Sequence, residues 1–383
     1  MRSVRDIKIL ENIPVLVRAS LNEPVENSVV KDTYRLKRAV PTITYLQERG
    51  ARVILASHID PPGGAPAQGT ETLAPIAATL ATMLAQVRSL DVVVGERARE
   101  AVRALAPGDV LVLENLRRER GEVLNDPAFA KQLAELADIF VEDAFDTCHR
   151  AHASIVGVPQ LLPSYAGLLL EEEVKELSKA RAPQAPSLAI IGGAKFSTKE
   201  PVLTALLAAY DRVFVGGALA NDFLAVAGHT VGASLTSGAD AAKIRKLLVH
   251  PKLVLPIDAR VAPKGTHPSG AHVAGLDEVQ GEEMILDHGP STEALLASLV
   301  AKSKQVLWNG PLGYYEGGYT EATDALARAI AKSDAYSVVG GGDTIASIEA
   351  LDILGDFSFV STGGGSMLDY LAKGTLPGIA ALG

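Results

Sequence analysis

Two lysines that follow a pair of glycines are the first residues whose types and spacing could do chemistry. The stretch "GGAKFSTK" opens with Gly192 and Gly193 and carries Lys195 and Lys199 four residues apart, which puts both lysines on one face of a helix. A glycine turn before a helix presents free backbone N–H groups to an anion. Two lysines at such a helix start suit a polyphosphate, although alone they are more often a solvated helix face.

Glycine also ends other apolar runs in the C-terminal half. The further glycines are Gly216–Gly217, Gly310, Gly340–Gly342 and Gly363–Gly365. In "VVGGGDT" the strand-to-helix turn is of the phosphate-cradle type, and Asp343 is placed to reach a metal ion on the phosphates. The chain has neither the Walker A pattern nor a convincing G-x-G-x-x-G pattern. Repeated glycine at strand ends therefore favours a nucleotide site of another design over a set of plain tight turns.

Basic residues collect near predicted turns in the N-terminal half. They are Arg18, Arg35, His58, Arg117, His149, Arg150 and His152. Each alone would be a surface ion pair or a satisfied turn residue, but the chain as a whole is acidic, with a formal net charge of −9. Basic groups gathered in such a chain indicate a site for a small anion, such as a phosphorylated acid. A nucleotide site in one half and an anion site in the other is the layout of a kinase, because phosphoryl transfer depends on positioning and charge neutralisation.

Alternating strands and helices must position these residues. The predicted strands are "VLVRA", "ARVILASH", "LDVVVG", "DVLVLEN", "ADIFVEDAF", "SLAIIGG", "DRVFVGG", "LVLPID", "QVLWNG", "AYSVVGGG" and "FSFVSTGGG". Asp32 is predicted to cap a helix that runs past Leu46 and ends at Gly50. Such alternation predicts α/β architecture with doubly wound parallel sheets, whose ligands bind beyond the carboxyl ends of the strands.

Length and composition limit the classes of protein. A chain of 383 residues exceeds what one core usually accommodates, and the Pro/Ala-rich stretch 178–187 predicts a boundary between two domains. The negative net charge argues against a general nucleic-acid binder. The single cysteine, Cys148, suggests a reducing compartment, and the sequence shows no signal peptide or membrane span, so we expect a cytoplasmic protein.

In these motifs the chain resembles the phosphoglycerate kinase family along nearly its whole length. The stretches that carry the resemblance are "VLVRASLNEP", "YRLKRAVPTITYL", "ILASHIDPP", "LENLR", "VEDAFDTCHRAHAS", "IIGGAKFSTK", "WNGPLGYYE", "VVGGGDT" and "FVSTGGGSMLDYL". The order and spacing of "GGAKFSTK", "WNGPLGYYE" and "GGGDT" are specific to this family.

The resemblance implies a fold and a reaction. The fold would be two Rossmann-like, doubly wound parallel-sheet domains separated by a cleft, with hinge closure and a monomeric chain. Residues 1–175, completed by the tail 366–383, would form the phosphoglycerate domain, and residues 185–365 the nucleotide-binding domain. The reaction would be reversible phosphoryl transfer between 1,3-bisphosphoglycerate and ADP, giving 3-phosphoglycerate and ATP in glycolysis and gluconeogenesis. Mg²⁺ would bind with the nucleotide, and no nucleic acid or membrane would take part.

The resemblance also implies roles for residues that match the family motifs. Catalytic roles fall to Arg35, Lys195 and Gly342. Substrate contacts are expected from Ser20, Leu21, Asn22, Arg35, His58, Arg117 and Arg150. Nucleotide contacts are expected from Gly193, Lys195, Lys199, Gly217, Asn309, Pro311, Glu316, Gly341, Gly342, Asp343 and Thr344, with Glu316 on the ribose and Asp343 also serving Mg²⁺.

The departures from the family pattern collect on the acceptor side. Ser20 stands where the family has Asp, and "SHIDPP" has Asp60 and Pro61 in place of Gly and Arg. Glu142 replaces Asn and Asp146 replaces Gly, while Arg118 and Arg120 add positive charge that could compensate. His288, at a position that is apolar in the family, is the mild exception on the nucleotide side. One lost arginine–phosphate pair removes about 1.5–3 kcal/mol, or roughly one to two decades in affinity.

Three interpretations follow from this one-sided divergence. We favour a divergent phosphoglycerate kinase. The second is an acyl-phosphate kinase with a different small acid as acceptor, since a change of specificity rebuilds acceptor contacts. The third is a catalytically silent nucleotide-binding paralogue, because lysines retained on the nucleotide side do not require turnover.

Overall fold

The computed structural model describes residues 1–60 and 71–383. The chain divides into two compact units, Met1–Lys175 with Thr375–Gly383, and Glu176–Gly374. Within the described ranges, no helix is both long enough and apolar enough to cross a membrane. Each unit contains a parallel sheet with helices between its strands, which confirms the predicted α/β fold class.

The first unit is built on strands β1 to β8. Their bounds are Pro14–Ala19, Val25–Glu26, Val29–Val30, Arg52–Ala56, Val87–Ser89, Val110–Val112, Ile139–Asp143 and Ser164–Ala166. Helices α1 to α6 span Tyr34–Gln47, Ala74–Leu80, Glu96–Arg103, Arg120–Val123, Pro127–Ala134 and Leu168–Arg181. The six-stranded sheet has the order β5-β6-β4-β1-β7-β8 and is parallel throughout, while β2 and β3 form a separate antiparallel pair. Every residue of β1 is buried, as in parallel strands covered on both faces.

Helix α1 shows how the sequence pattern becomes packing. Its buried residues recur at helical spacing and join the core of the first unit: Leu36, Ala39, Ile43 and Leu46. The helix begins one residue later than predicted, after Thr33, and Asp32 Oδ1 accepts a hydrogen bond from the Tyr34 N–H at 2.8 Å. It ends at Gln47, and Gly50 then adopts a φ of +72°, a conformation that favours glycine.

The second unit contains strands β9 to β17. Their bounds are Ser187–Ile191, Arg212–Val215, Leu253–Val254, Asp258–Pro263, His272–Gly275, Glu283–His288, Gln305–Asn309, Tyr336–Gly340 and Phe359–Val360. Helices α7 to α13 span Phe196–Ala209, Ala218–Ala227, Ala241–Leu248, Pro290–Ala301, Glu321–Ala331, Gly342–Ala350 and Gly365–Lys373. The parallel sheet has the order β11-β10-β9-β15-β16-β17, and β13-β12-β14 form a small antiparallel sheet that the sequence analysis did not predict.

Two sequence predictions in the first unit differ from the structure. The predicted strand over residues 90–95 is wrong. The edge strand of this region is β5, which begins directly after Gln86, a residue with a left-handed backbone (φ +57°), and ends at Ser89. Strand β8 was not predicted, since it is short and its pattern is interrupted by Pro163 and Gly167. Both errors fall at the sheet edges, where strands are short and pairing on one side leaves a weaker pattern.

The unit boundaries also differ from the predicted domain limits. The division between Lys175 and Glu176 falls inside α6, whose helical pattern continues to Arg181 instead of stopping before the Pro/Ala-rich stretch. Helix α13 packs against α7 within the second unit, so the tail of the first unit begins at Thr375 and not at residue 366. That tail contains the final helix, α14 (Pro377–Ala381), in which the Gly378 N–H donates to the Cys148 carbonyl at 2.9 Å.

Replacement of Asp143 by Ala is expected to lower the free energy of unfolding by about 1–3 kcal/mol. Asp143 Oδ1, at the end of β7, accepts from the backbone N–H groups of Leu169 and Leu170 at 3.0 and 3.2 Å, so it satisfies the start of α6. Burial raises the pKa of this carboxyl to about 7. Urea unfolding followed by circular dichroism measures the change. Asp143→Asn keeps an acceptor oxygen without a charge and should lose little; an equal loss in both variants would contradict the capping role.

Candidate active site

The predicted acceptor-side residues lie at the carboxyl edge of the first sheet. Ser20, Leu21 and Asn22 follow β1, His58 and Asp60 follow β4, Arg117 follows β6, and Arg150 follows β7. Strand β1 lies between β4 and β7, and β6 lies beside β4, so the ends of four strands meet at one edge. The sheet order therefore brings together residues that are far apart in the sequence.

Arg18 and His58 form the buried base of this edge. Arg18 Nη2 lies 2.9 Å from His58 Nδ1, and because arginine only donates, Nδ1 must accept and the ring proton must sit on Nε2. Burial, together with the neighbouring arginines, lowers the pKa of His58 well below its usual value. His58 is thus a neutral donor, and its Nε2 lies 3.7 Å from Asp60 Oδ2.

The Asp60 carboxylate is the centre on which several predicted substrate residues converge. Asn22 Nδ2 donates to Asp60 Oδ2 at 3.2 Å, and the Asp60 N–H donates to Asn22 Oδ1 at 2.9 Å. Arg117 Nη1 forms an ion pair with Asp60 Oδ1. Burial and two neighbouring arginines lower the pKa of Arg117 to about 10, so it remains charged at neutral pH. Pro61, the other departure in this segment, lies outside the described residues.

Arg35, in the first turn of α1, is held beside Asn22. Its Nη1 donates to the Asn22 carbonyl at 3.0 Å and pairs with Glu23 Oε2 at 3.1 Å. The side chain of Arg35 is 25% exposed and that of Glu23 is fully buried. Burial raises the pKa of Glu23 to about 7, although Arg35 opposes the shift. Glu23 was not predicted as part of the site, and its only signal was a carboxylate four residues beyond a predicted strand end.

The other predicted residues of this edge differ in how far they are accessible. Ser20 and Leu21 are buried, so their side chains offer no surface to a ligand, and no described residue bonds the Ser20 hydroxyl. Arg150 is half-buried and helps to lower the pKa values of His58 and Arg117. Arg18, Arg117 and Arg150 thus concentrate positive charge at this edge, and the Glu122 and Asp146 carboxylates oppose it.

The second unit contains a cavity of about 830 Å³ at the carboxyl edge of its sheet. The predicted nucleotide residues in its wall are Gly193, Gly217, Pro311, Glu316 and Asp343. They follow strands β9, β10, β15 and β16, as the glycine pattern predicted. A cavity of this size is in the range that takes a nucleotide-sized ligand.

Close backbone packing explains two of the glycine turns without reference to a ligand. A Cβ on Gly192 would lie 2.1 Å from the Pro311 carbonyl oxygen, so the ends of β9 and β15 require glycine there. Gly217 adopts a φ of +63°, and a Cβ on it would lie 2.7 Å from the Gly193 nitrogen. These turns let the strand ends approach each other, and the N–H groups of Gly192 and Gly193 donate to the Asn309 and Pro311 carbonyls at 2.9 and 3.2 Å.

The predicted phosphate-side residues lie at the same strand ends, outside the cavity wall. Lys199 Nζ donates to Asn309 Oδ1 at 3.1 Å, and burial lowers the pKa of Lys199 to about 8. Lys195 is exposed at the N-cap position of α7, next to Ala194, which lines the cavity. Thr344 Oγ1 accepts from the Gly310 N–H at 3.0 Å, which ties the start of α12 to the end of β15. Gly341 has a φ of +107°, and Gly342 begins α12 with an exposed backbone.

The apolar wall of the cavity was not predicted from the sequence. That wall includes Leu235, Met284, Leu286, Leu312 and Tyr314. Part of it comes from β14, in the unpredicted antiparallel sheet, so no strand-end signal pointed to these residues. An apolar wall opposite polar strand ends suits a ligand with a flat aromatic part and an anionic part.

His288 carries a testable electrostatic signature within this wall. Its Nε2 accepts from the Gly217 N–H at 3.2 Å, so the proton lies on Nδ1, which no described residue bonds. Burial lowers the pKa of His288 to about 4. His288 therefore takes up a proton near pH 6.5 in the unfolded chain but only near pH 4 in the folded chain. Its contribution lowers the free energy of unfolding as the pH falls from about 6.5 to about 4.

In His288→Leu this pH-dependent cost is removed. The stability of the wild-type protein relative to the variant is expected to fall by up to about 3 kcal/mol between pH 7 and pH 4. Urea unfolding at several pH values gives the free energy of unfolding of both proteins. Losing the Gly217 contact changes this free energy equally at every pH, so it does not affect the pH dependence of the difference between them. Parallel stability profiles for the two proteins would contradict the assignment of a neutral, buried His288.

Comparisons with known proteins cover nearly the whole chain. The family model described as phosphoglycerate kinase matches residues 4–374. The phosphoglycerate kinases of Moorella thermoacetica and Rubrobacter xylanophilus are 41% and 42% identical to the chain, and cover 99% and 100% of it with 98% of their own lengths.

Two solved structures give the same result at the level of the fold. Phosphoglycerate kinase from Coxiella burnetii matches with a TM-score of 0.84 and 38% identity, over 99% of this chain and 98% of its own. The enzyme from Pyrococcus horikoshii matches with a TM-score of 0.88 and 30% identity, over 100% and 98%. The resemblance predicted from the motifs is thereby confirmed. The chain belongs to the phosphoglycerate kinase family, whose members are ATP-dependent kinases that transfer a phosphoryl group to a carboxyl group.

Proposed function

We propose that this protein catalyses reversible phosphoryl transfer between 1,3-bisphosphoglycerate and ADP, giving 3-phosphoglycerate and ATP in glycolysis and gluconeogenesis. The observation that carries the proposal is the arginine cluster of the first unit, Arg18, Arg117 and Arg150, in a chain whose net charge is −9. A small, multiply charged acid is the ligand that such a cluster suits. The cavity of the second unit supports the nucleotide half of the reaction.

The nucleotide would bind in the cavity of the second unit. Gly193, Gly217 and Pro311 would contact it through the backbone, and Glu316 would bond the ribose. Lys199, Asn309 and the backbone of 341–344 would hold the phosphates at the starts of α7 and α12. Because its pKa is about 8, Lys199 is mostly charged at neutral pH and is suited to an anion.

Magnesium fits the carboxylates of this cavity. Burial and the nearby Glu316 raise the pKa of Asp343, which means that its negative charge lacks a full counter-charge. Among the described residues no group of three or more His, Cys, Asp and Glu could hold a metal by itself. Mg²⁺ typically binds through one or two carboxylates plus substrate phosphates, so Asp343 would hold it together with the nucleotide. When bound, the ion neutralises charge on the phosphates.

Transfer would depend on fixed charge and not on proton abstraction. The acceptor carboxylate of 3-phosphoglycerate is ionised at neutral pH, so no general base is needed. Arg35, Lys195 and the backbone of Gly342 would stabilise the transferred phosphoryl group, whose loose transition state spreads charge over its equatorial oxygens. Asn22, His58, Arg117 and Arg150 would bind the phosphoglycerate. We further propose that the protein acts as a monomer in the cytoplasm, where the glycolytic substrates are found.

Steady-state ATP consumption with 3-phosphoglycerate and Mg²⁺, coupled to removal of the bisphosphate product, tests the proposal. Turnover in the range of about 1–100 s⁻¹, typical of kinases, is the expected result. Absence of turnover, with ATP binding shown by calorimetry, would overturn the proposal and would mean that the acceptor side is repurposed or lost; turnover with no other small acid either would then indicate a silent nucleotide-binding paralogue.

A second candidate function is an acyl-phosphate kinase with a different small acid as acceptor. It is favoured by the changed acceptor edge, where Ser20 is buried and Asp60 pairs with Arg117. The same assay with other small phosphorylated or carboxylated acids distinguishes the two. Higher kcat/KM for one of these acids than for 3-phosphoglycerate would establish the second function.

A further inference from the structure

We infer that the Asp60 carboxylate is an internal competitor of the acceptor: it occupies the anion site formed by Asn22, His58 and Arg117, and the acceptor must displace it. The inference rests on the proposed function for the identity of the acceptor. It assigns a role in setting the affinity for the acceptor to a residue that, from the sequence, was only a departure from the family pattern.

The contacts of Asp60 are those of a bound anion. Donors are directed at both of its oxygens, with Arg117 at Oδ1 and Asn22 Nδ2 at Oδ2, 3.2 Å away. The protonated Nε2 of His58 lies 3.7 Å from the same Oδ2. Arg117 and Asn22 thus bind Asp60 through the same side-chain groups that would bind a substrate anion, and His58 makes a longer contact of the same kind.

The surrounding charge explains why a carboxylate is stable there. Burial, and after it Arg150 and Arg18, lower the pKa of Arg117, so the arginines of the cluster repel one another. A carboxylate paired with Arg117 relieves this repulsion in the absence of substrate. The Glu122 carboxylate also favours the charged form of Arg117 through its field, but its two oxygens accept from the N–H and hydroxyl of Ser154 at 2.9 and 2.6 Å, so Asp60 is the carboxylate in direct contact with Arg117.

Accessibility makes the pairing exchangeable. The side chain of Asp60 is 29% exposed, whereas that of Arg117 is 10% exposed. A soluble anion can therefore reach the aspartate, and a more highly charged phosphate can take its place on the arginine. Since the substrate must replace an existing ion pair, the apparent affinity for acceptor is reduced by the competition, while the chemical step is unaffected.

The test uses Asp60→Gly and Asp60→Asn in the full chain, with Asp146→Asn as a matched control. Asp146 is another carboxylate that acts on Arg117 through its field, and its hydrogen bond is with Thr147. Binding of 3-phosphoglycerate and of inorganic phosphate is measured by calorimetry, and KM and kcat by the coupled assay. Both Asp60 variants are expected to bind 3-phosphoglycerate about tenfold more tightly and to lower its KM similarly, with kcat and the KM for ATP within about twofold.

The Asp146→Asn control separates the effect of the Asp60–Arg117 contact from the effect of removing a negative charge near Arg117. Asp146→Asn should tighten binding by about twofold or less, and equal tightening by Asp146→Asn and Asp60→Asn would overturn the inference. Unchanged anion binding in the Asp60 variants would also overturn it, and weaker binding would overturn it and make Asp60 a positioning residue for Arg117. Failure of the proposed function has a different signature, namely no turnover in any variant, and the binding measurement remains decisive in that case.

Discussion

Replacing Lys195 with alanine is expected to lower kcat by about 10²–10³-fold and to change the KM for ATP by less than about threefold. Lys195 is exposed at the start of α7, where its charge is available to the transferred phosphoryl group. An interaction made only in the transition state lowers kcat and kcat/KM equally and leaves ground-state binding unchanged. Steady-state kinetics with ATP and 3-phosphoglycerate give both parameters, and calorimetry gives the affinity for ATP directly.

Two other lysines of the second unit provide the contrast for this experiment. Lys199, which is bonded to Asn309, is proposed to hold the nucleotide phosphates, so Lys199→Ala should raise the KM for ATP. Exposed Lys246 on α9 lies outside the proposed site, so its replacement by alanine should have no kinetic effect. Wild-type turnover in Lys195→Ala would remove Lys195 from the catalytic assignment. A large rise in KM without loss of kcat would make it a binding residue instead.

Replacing Arg35 with alanine is expected to have the largest effect, a loss in kcat of about 10³-fold or more, as for other arginines that neutralise a transferred phosphoryl group. The structure adds a complication, because Arg35 is also the ion-pair partner of the buried Glu23. Without Arg35 the pKa of Glu23, already about 7, rises further, since the charge that opposed burial is gone. A carboxyl with a raised folded-state pKa loses stability as the pH rises from its unfolded value, 4.5, to its folded value. In the wild type this loss is complete near pH 7, whereas in Arg35→Ala it continues at higher pH, so the variant should fall further below the wild type above pH 7.

The double variant Arg35→Ala/Glu23→Gln separates catalysis from stability. The glutamine side chain has no charge to bury, so urea unfolding at pH 8 should show stability restored toward the wild type, while kcat stays at the level of Arg35→Ala. Glu23→Gln alone serves as the control and should keep most of the activity. Recovery of kcat in the double variant would show that the single variant failed through misfolding and that Arg35 has no role in transfer.

The sequence by itself determined the architecture of each unit and the kind of chemistry at its edges. Runs such as Pro14–Ala19 and Ser187–Ile191 are mostly apolar. A strand that is buried on both faces can be predicted from such a run alone, because nearly all of its side chains are apolar. The glycine and lysine signals after β9 and β16 were equally local, because a strand-to-helix turn and its N–H groups involve only neighbouring residues. These local patterns also carried the family resemblance.

Only the tertiary structure decided which residues meet, and this changed the view of the acceptor edge. Asn22, Asp60 and Arg117 follow different strands, and they come into contact because β1, β4 and β6 are neighbours in the sheet, an order that no local pattern encodes. Burial was likewise not readable from residue type, since Ser20 looked like a polar ligand and is enclosed. Local propensity acts over a few residues, whereas burial, pairing and pKa depend on what the rest of the fold places around each side chain.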